Sequence, residues 1–267
     1  MAMARINGHS MYYEVLGHGD PILCMGGWGT FCHDNHHHLA RGLTDRYQVI
    51  CFDYRGICES DDDLSLPSNM KLHAGDAIGL LDHLGLKNVH LMGLVGMGAC
   101  VCQEIAIQRP DLARSMLNMG AWCGMDDFLR DQLEMFRWIH RDCGFLAFQK
   151  AVTLLSFTPE YYNENKSKLL GEKGGWKELN GRLTAHERLI DACVGFDSTD
   201  RLARIRCPSL IIHAGLDTVT SPRTTIPIEK GIPGAKGILW EDVAHVVAGK
   251  EQKIRFASTL FDWLKAN

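Results

Sequence analysis

The chain has 267 residues, 46% of them hydrophobic and 22% charged, and a net charge of −4 at pH 7. That length supports one large domain carrying an insertion, and the composition is that of a soluble globular protein. No basic run exceeds two residues, so neither nucleic acid nor an anionic membrane is expected as a partner.

The opening Met-Ala-Met-Ala-Arg and the polar, glycine-containing stretch after it lack the apolar core of a signal peptide. No apolar run approaches the roughly 20 residues that a membrane-spanning helix needs. The expected location is therefore the cytoplasm. The ten cysteines form no C-x-x-C pair and sit mostly in apolar runs. They read as reduced, mainly buried thiols packing as small hydrophobes.

In chain order, Ser10–Leu16 and Pro21–Met25 read as strands around a Gly17-His18-Gly19-Asp20 turn, and Tyr47–Phe52 as a third. Lys71–Leu84 has helical spacing, with Leu72, Ile78, Leu81 and Leu84 on an apolar stripe. Val89–Met92 is a strand, followed by a helix over Gly98–Gln108 that Arg109-Pro110 stops. Ser115–Ala121, Ser209–Ala214 and Gly237–Trp240 continue the strand series, and Ile254–Lys265 is an amphipathic closing helix. Residues 123–199 break this rhythm with helical patterns at Asp126–His140 and Thr184–Val194, joined by the polar Asn163–Gly175 stretch. Alternating strands and helices predict a mainly parallel, eight-stranded sheet with helices on both faces. The expected division is a core of 1–122 and 200–267, with 123–199 as a helical cap, or lid.

Four segments carry the chemistry. Pro21-Ile-Leu-Cys-Met-Gly-Gly-Trp28 ends a strand in a glycine loop, and Asp53-Tyr-Arg-Gly-Ile-Cys-Glu-Ser60 follows the next strand. Val89-His-Leu-Met-Gly-Leu-Val-Gly-Met-Gly98 is a glycine-rich strand-to-helix turn. Cys207-Pro-Ser-Leu-Ile-Ile-His-Ala-Gly-Leu-Asp217 is a buried strand ending in Gly-x-Asp, with Asp242-Val-Ala-His245 after the last strand. In this order and spacing they resemble the α/β-hydrolase superfamily over almost the whole chain outside the cap.

That resemblance implies an α/β-hydrolase fold in which Asp217 orients His245 and His245 moves the proton. It places Val95 where the nucleophilic serine belongs, and it gives the oxyanion-binding N–H groups to Trp28 and Gly96. Cys58 stands in the second motif where the family has glycine, and that motif reads as structural. No Ser, Cys or Asp lies within residues 93–99, so an acyl-enzyme is not expected.

Three classes stay open. The first is a serine-independent hydrolase of a small ester, lactone or activated C–C bond. The second is a cofactor-free lyase, decarboxylase, isomerase or oxygenase acting by substrate deprotonation. The third is a non-catalytic small-molecule receptor using the cap pocket. The retained Asp217 and His245 weigh against the third. The run Cys32-His-Asp-Asn-His-His-His38 suggests metal, with His33 and His37 at i, i+4. No matching acidic or histidine cluster is identifiable elsewhere, so His33, His36, His37 and His38 read as a solvated or cleft-lining group. No metal and no cofactor are expected. The expected partner is a small-molecule substrate, with a homodimer left open.

Overall fold

The computed structural model describes residues 2–267, with the side chain of His37 outside the description. Its strands are β1 (Ala2–Ile6), β2 (His9–Leu16), β3 (Asp20–Met25), β4 (Tyr47–Phe52), β5 (Val89–Leu94), β6 (Ala113–Met119), β7 (Ser209–Ala214) and β8 (Lys236–Trp240). They form one eight-stranded sheet in the order β1-β2-β4-β3-β5-β6-β7-β8. Only β2 opposes its neighbours, and every pairing from β4 across to β8 is parallel. The helices are α1 (Met70–His83), α2 (Met97–Gln108), α3 (Asp127–Cys143), α4 (Phe145–Ser156), α5 (Pro159–Leu169), α6 (Leu183–Val194), α7 (Pro222–Gly231) and α8 (Lys250–Ala266).

The central strands are apolar at successive positions because both faces of the sheet are covered. All six residues of β7 are buried. Alternate side chains feed two cores, as the two-residue period of a strand requires. Leu23, Ile50, Leu91, Met116 and Ile211 join one, and Ile22, Val49, Met92, Leu117 and Ile212 the other. α1, α2 and α7 pack into the first core; α8 brings Phe256, Leu260, Trp263 and Leu264 into the second.

The sequence shows seven strand-like runs, and β1 is the eighth. It is a five-residue edge strand whose inward positions are only Ala4 and Ile6, too short to announce itself. α7 is equally hidden. It starts with proline at its first position, which suits a helix, but it also carries Pro227 inside, which sequence reasoning takes as a breaker.

Between β6 and β7 the described residues form α3 to α6 and no strand. α3 buries Leu129, Leu133, Phe136 and His140 along one face, the repeat of an amphipathic helix. The Asp126 side chain caps it by accepting the Leu129 N–H at 2.8 Å.

Candidate active site

β7 runs into a turn that β8 holds in place. The Gly215 N–H donates to the Trp240 carbonyl at 2.8 Å and the Leu216 N–H to the Val243 carbonyl at 2.9 Å. This lays the β8–α8 loop against Asp217. The Asp217 Oδ1 accepts the N–H groups of Val219 (2.7 Å) and Thr220 (2.8 Å). Its Oδ2 accepts the Thr220 hydroxyl (2.7 Å) and stands 2.8 Å from His245 Nδ1. Both side chains are buried.

Burial pushes the Asp217 carboxyl up, but the facing His245 and the hydrogen bonds from His245 and Thr220 outweigh it and hold the group below the usual carboxylate range. An ionised Asp217 bonded to Nδ1 makes that atom the donor and leaves Nε2 facing the pocket that His245 lines. Sequence reasoning missed Thr220. Its signal was the Asp217-Thr-Val-Thr220 pattern, in which an acidic side chain caps N–H groups just downstream.

The glycine-rich turn differs from expectation by one residue. Val95 and Gly96 both have left-handed backbones, φ 64° and φ 61°. Gly96, with ψ −118°, is the residue that directly precedes α2. The strained apex of the strand-to-helix turn is thus Gly96, and Val95 is an additional left-handed residue before it. Flanking glycines are enforced. A Cβ at Gly93 would lie 2.5 Å from Ala99 Cα, and one at Gly98 would lie 2.3 Å from the Gly26 carbonyl. A Cβ at Gly96 would meet only Trp122 Cζ3, at 4.0 Å. The turn therefore holds open space where a nucleophilic side chain would stand.

The oxyanion donors also differ from expectation. The Gly96 N–H donates to the Gly120 carbonyl at 2.7 Å, so it is not available to an oxyanion. The next N–H, that of Met97, opens α2 at the edge of the pocket, where a helix leaves its first N–H groups unbonded. Gly27 and Trp28 line the pocket as expected. A side chain at 27 would be crowded, because a Cβ there would lie 3.0 Å from the Val95 carbonyl. Val95 Cα and His245 Cε1 flank Gly120, each 3.3 Å from where a Cβ on it would fall.

The pocket is a small cavity of about 50 Å³, well below the roughly 300–1,000 Å³ of typical small-molecule sites. Its walls are apolar, among them Trp28, Leu133, Phe136, Val152, Trp176 and Val219. Two polar groups in the lining have no hydrogen-bond partner among the described residues although they are buried: Ser156 Oγ and Trp122 Nε1. Ser156 ends α4, and its carbonyl accepts the Val246 N–H at 3.0 Å, which ties α4 to the loop of His245. Neither residue carried a sequence signal, since nothing local reveals which helix end will face a pocket. Cys100 and Cys102 are fully buried in the core, as expected.

The histidine run does not form the helix face that i, i+4 spacing suggested. Only Asn35–His38 makes a short 3₁₀ turn, and His33 precedes it with φ 56°. The His37 side chain lies outside the description. His33 instead meets the Asp53–Ser60 turn, with Nε2 2.6 Å from Asp53 Oδ2. That turn has the structural bonds expected of it: the Ser60 hydroxyl donates to the Asp53 carbonyl at 3.0 Å, and Arg55 Nε to Asp76 Oδ2 at 2.6 Å.

Residues 20–142 match the family model described as alpha/beta hydrolase fold. The chain is 31% identical over 230 residues to a protein of Azorhizobium caulinodans named as a proposed carbamate hydrolase, RutD, covering 85% of this chain and 84% of that one. It is 26% identical over 263 residues to the protein of that name from Pseudomonas savastanoi pv. phaseolicola, covering 96% and 99%. Among solved structures, the enol-lactonase of Burkholderia xenovorans LB400 superposes with a TM-score of 0.86 at 20% identity, covering 99% of this chain and 100% of that one. A thermophilic esterase from Thermogutta terrifontis gives 0.80 at 21%, covering 99% and 98%. At such identities the solved structures show the shared fold.

Proposed function

Because the chain belongs to the α/β-hydrolase family, we propose that it is a hydrolase of a small ester, lactone, carbamate or activated C–C bond that works without an acylating serine. The observation that carries this reading is the buried His245–Asp217 pair, 2.8 Å apart, beside a turn whose two left-handed residues, Val95 and Gly96, bear no nucleophilic atom. The carbamate is included because relatives carry that name.

In this reading His245 Nε2 takes a proton from a water molecule, and the resulting hydroxide attacks the carbonyl carbon. The oxyanion is held by the N–H groups of Trp28 and Met97. Collapse of the tetrahedral intermediate expels the leaving group, which receives the proton back from the imidazolium. Asp217 stays ionised and fixes the imidazole's tautomer. General-base catalysis of this kind supplies about 10²–10⁴-fold, and an oxyanion donor roughly 10²–10³-fold. Trp122 Nε1 and Ser156 Oγ are donors for the oxygen atoms of the bound substrate, which gives two otherwise costly buried groups a partner. Ser156 makes no hydrogen bond to His245, so it lacks the adjacent base that activates a hydroxyl. The helical insertion acts as the cap that closes the pocket.

The test pairs kinetics with intact-protein mass spectrometry on esters, lactones, carbamates and diketones. His245→Ala should abolish turnover, and Asp217→Asn should lower kcat by about 10²–10⁴-fold. Ser156→Ala should raise KM far more than it lowers kcat. Neither substrate nor a fluorophosphonate should leave an adduct on the native chain. An adduct on Ser156, or full activity in His245→Ala, would overturn the mechanism.

A further inference from the structure

Outside the pocket, the loop after β3 meets the turn after β4 in a cluster of four potential ligands. His33 Nε2 stands 2.6 Å from Asp53 Oδ2 and 3.2 Å from Glu59 Oε2. One ring nitrogen carries at most one proton, so it serves one of these carboxylates well and not both. Asp53 is fully buried, and its other oxygen, Oδ1, forms no hydrogen bond of good geometry among the described residues, although the Thr30 hydroxyl acts on the carboxylate. Such an oxygen is costly unless something positive faces it. Cys58 completes the group: one donor atom from each of His33, Asp53, Cys58 and Glu59 lies within 4.8 Å of the others. A tetrahedral site with bonds of 2.0–2.3 Å sets its ligand atoms roughly 3.3–3.8 Å apart. Small side-chain movements would therefore close this cluster on a single ion.

The backbone bears on which residues were placed there. His33 and Cys58 have φ 56° and φ 47°, a region that costs side-chain-bearing residues free energy. Glycine would occupy position 58 without strain, yet a thiol stands there. Around His33 the fit is fixed: the Tyr12 ring stacks on the imidazole with centroids 4.3 Å apart, and the His33 N–H donates to Glu14 Oε1 at 2.9 Å.

We propose that His33, Asp53, Cys58 and Glu59 bind one divalent transition-metal cation of the zinc type. An imidazole, a thiolate and two carboxylates suit zinc or cobalt and disfavour magnesium and calcium, which take oxygen ligands. Binding releases the Cys58 thiol proton to solvent, and His33 coordinates through a neutral Nε2. Four protein ligands make a closed, structural site. His33 shares its loop with Gly27 and Trp28, so the ion would pin the loop that shapes the pocket to the turn after β4. Glu59 is exposed and His33 partly so, which gives the ion a way in.

The test uses the full chain, stripped with a chelator, and Co²⁺ as an optical probe. One equivalent should raise a thiolate-to-metal charge-transfer band, and one equivalent of Zn²⁺ should quench it and raise Tm. Cys58→Gly and His33→Ala should each lose the band and the Tm response. Cys58→Gly relieves backbone strain, so it should fold at least as well as the native chain. No band in the native chain, or a band that survives in either variant, overturns the proposal. The exposed Cys143 is present in both variants, so a band arising there would survive and be recognised as such.

Discussion

Two glycines near the apex of the β5–α2 turn, Gly96 and Gly98, have different jobs, and substitution separates them. At Gly98 a Cβ would press on backbone carbonyls at 2.3 and 2.4 Å, so Gly98→Ala must displace the loop carrying Trp28. That change should cost about 1–3 kcal/mol and most of the activity. At Gly96 there is room, and only the left-handed backbone resists, so Gly96→Ala should cost about 1–2 kcal/mol. Urea denaturation of the two variants checks the order, and a milder Gly98→Ala would refute it. The one-residue offset also makes a chemical prediction. Gly96→Ser should become labelled by a fluorophosphonate and acquire slow esterase activity, whereas Val95→Ser should not, because the Val95 side chain sits toward Gly27. Labelling of Val95→Ser alone would return the apex to position 95.

Among the elements, α1 and α6 each bury a histidine that burial keeps from ionising. The pKa of His73 and of His186 is pushed down to about 3, first by desolvation and then by nearby positive charge. Unfolded, each takes its proton near pH 6.5. The unfolded chain therefore binds more protons between these values, and stability is complete above about pH 6.5 and falls as pH drops toward 3. At pH 5 each should cost about 2 kcal/mol. His186→Phe should flatten the decline of Tm between pH 7 and pH 5, as followed by calorimetry; an unchanged slope would remove His186 as a source. Sequence legibility also divides by element. β4 and β7 were readable to the residue because strands covered on both faces need unbroken apolar runs. β1 and α7 were not, one being small and at an edge, the other containing proline. The Asp217–His245 pair was legible because each closely follows a recognisable strand. The Gly96 apex was not, since counting letters cannot reveal a left-handed residue inserted ahead of it. Ser156 and Trp122 matter only through folding, which brings a distant helix end over the sheet.

Across the whole molecule, polar ties at several places join the insertion to the rest of the chain. Arg188 on α6 donates from Nε to Asp62 Oδ2 at 2.6 Å and from Nη2 to the Leu66 carbonyl at 2.9 Å. On the opposite side, the Val246 N–H grips the end of α4. If these helices form a cap, then Arg188→Ala should loosen it. The loss should be about 1–3 kcal/mol, as for hydrogen bonds to charged groups. Hydrogen exchange should quicken over residues 183–194 while β5 to β7 keep their protection. Equal acceleration in the central strands would mean that the insertion and the sheet open together. Because α4 contacts the residue after His245, the imidazole loop should also exchange faster in the variant.

The unfilled space above Gly96 also bears on inheritance. Glycine and serine codons can differ at a single base, and the apex geometry, the flanking glycines and the imidazole–carboxylate pair are already in place. On the proposed mechanism, the scaffold therefore stands one point mutation from cleaving the same bonds through a covalent acyl-enzyme. In a randomly mutated library selected for ester cleavage, acylating variants should arise first at this position, without compensating changes elsewhere.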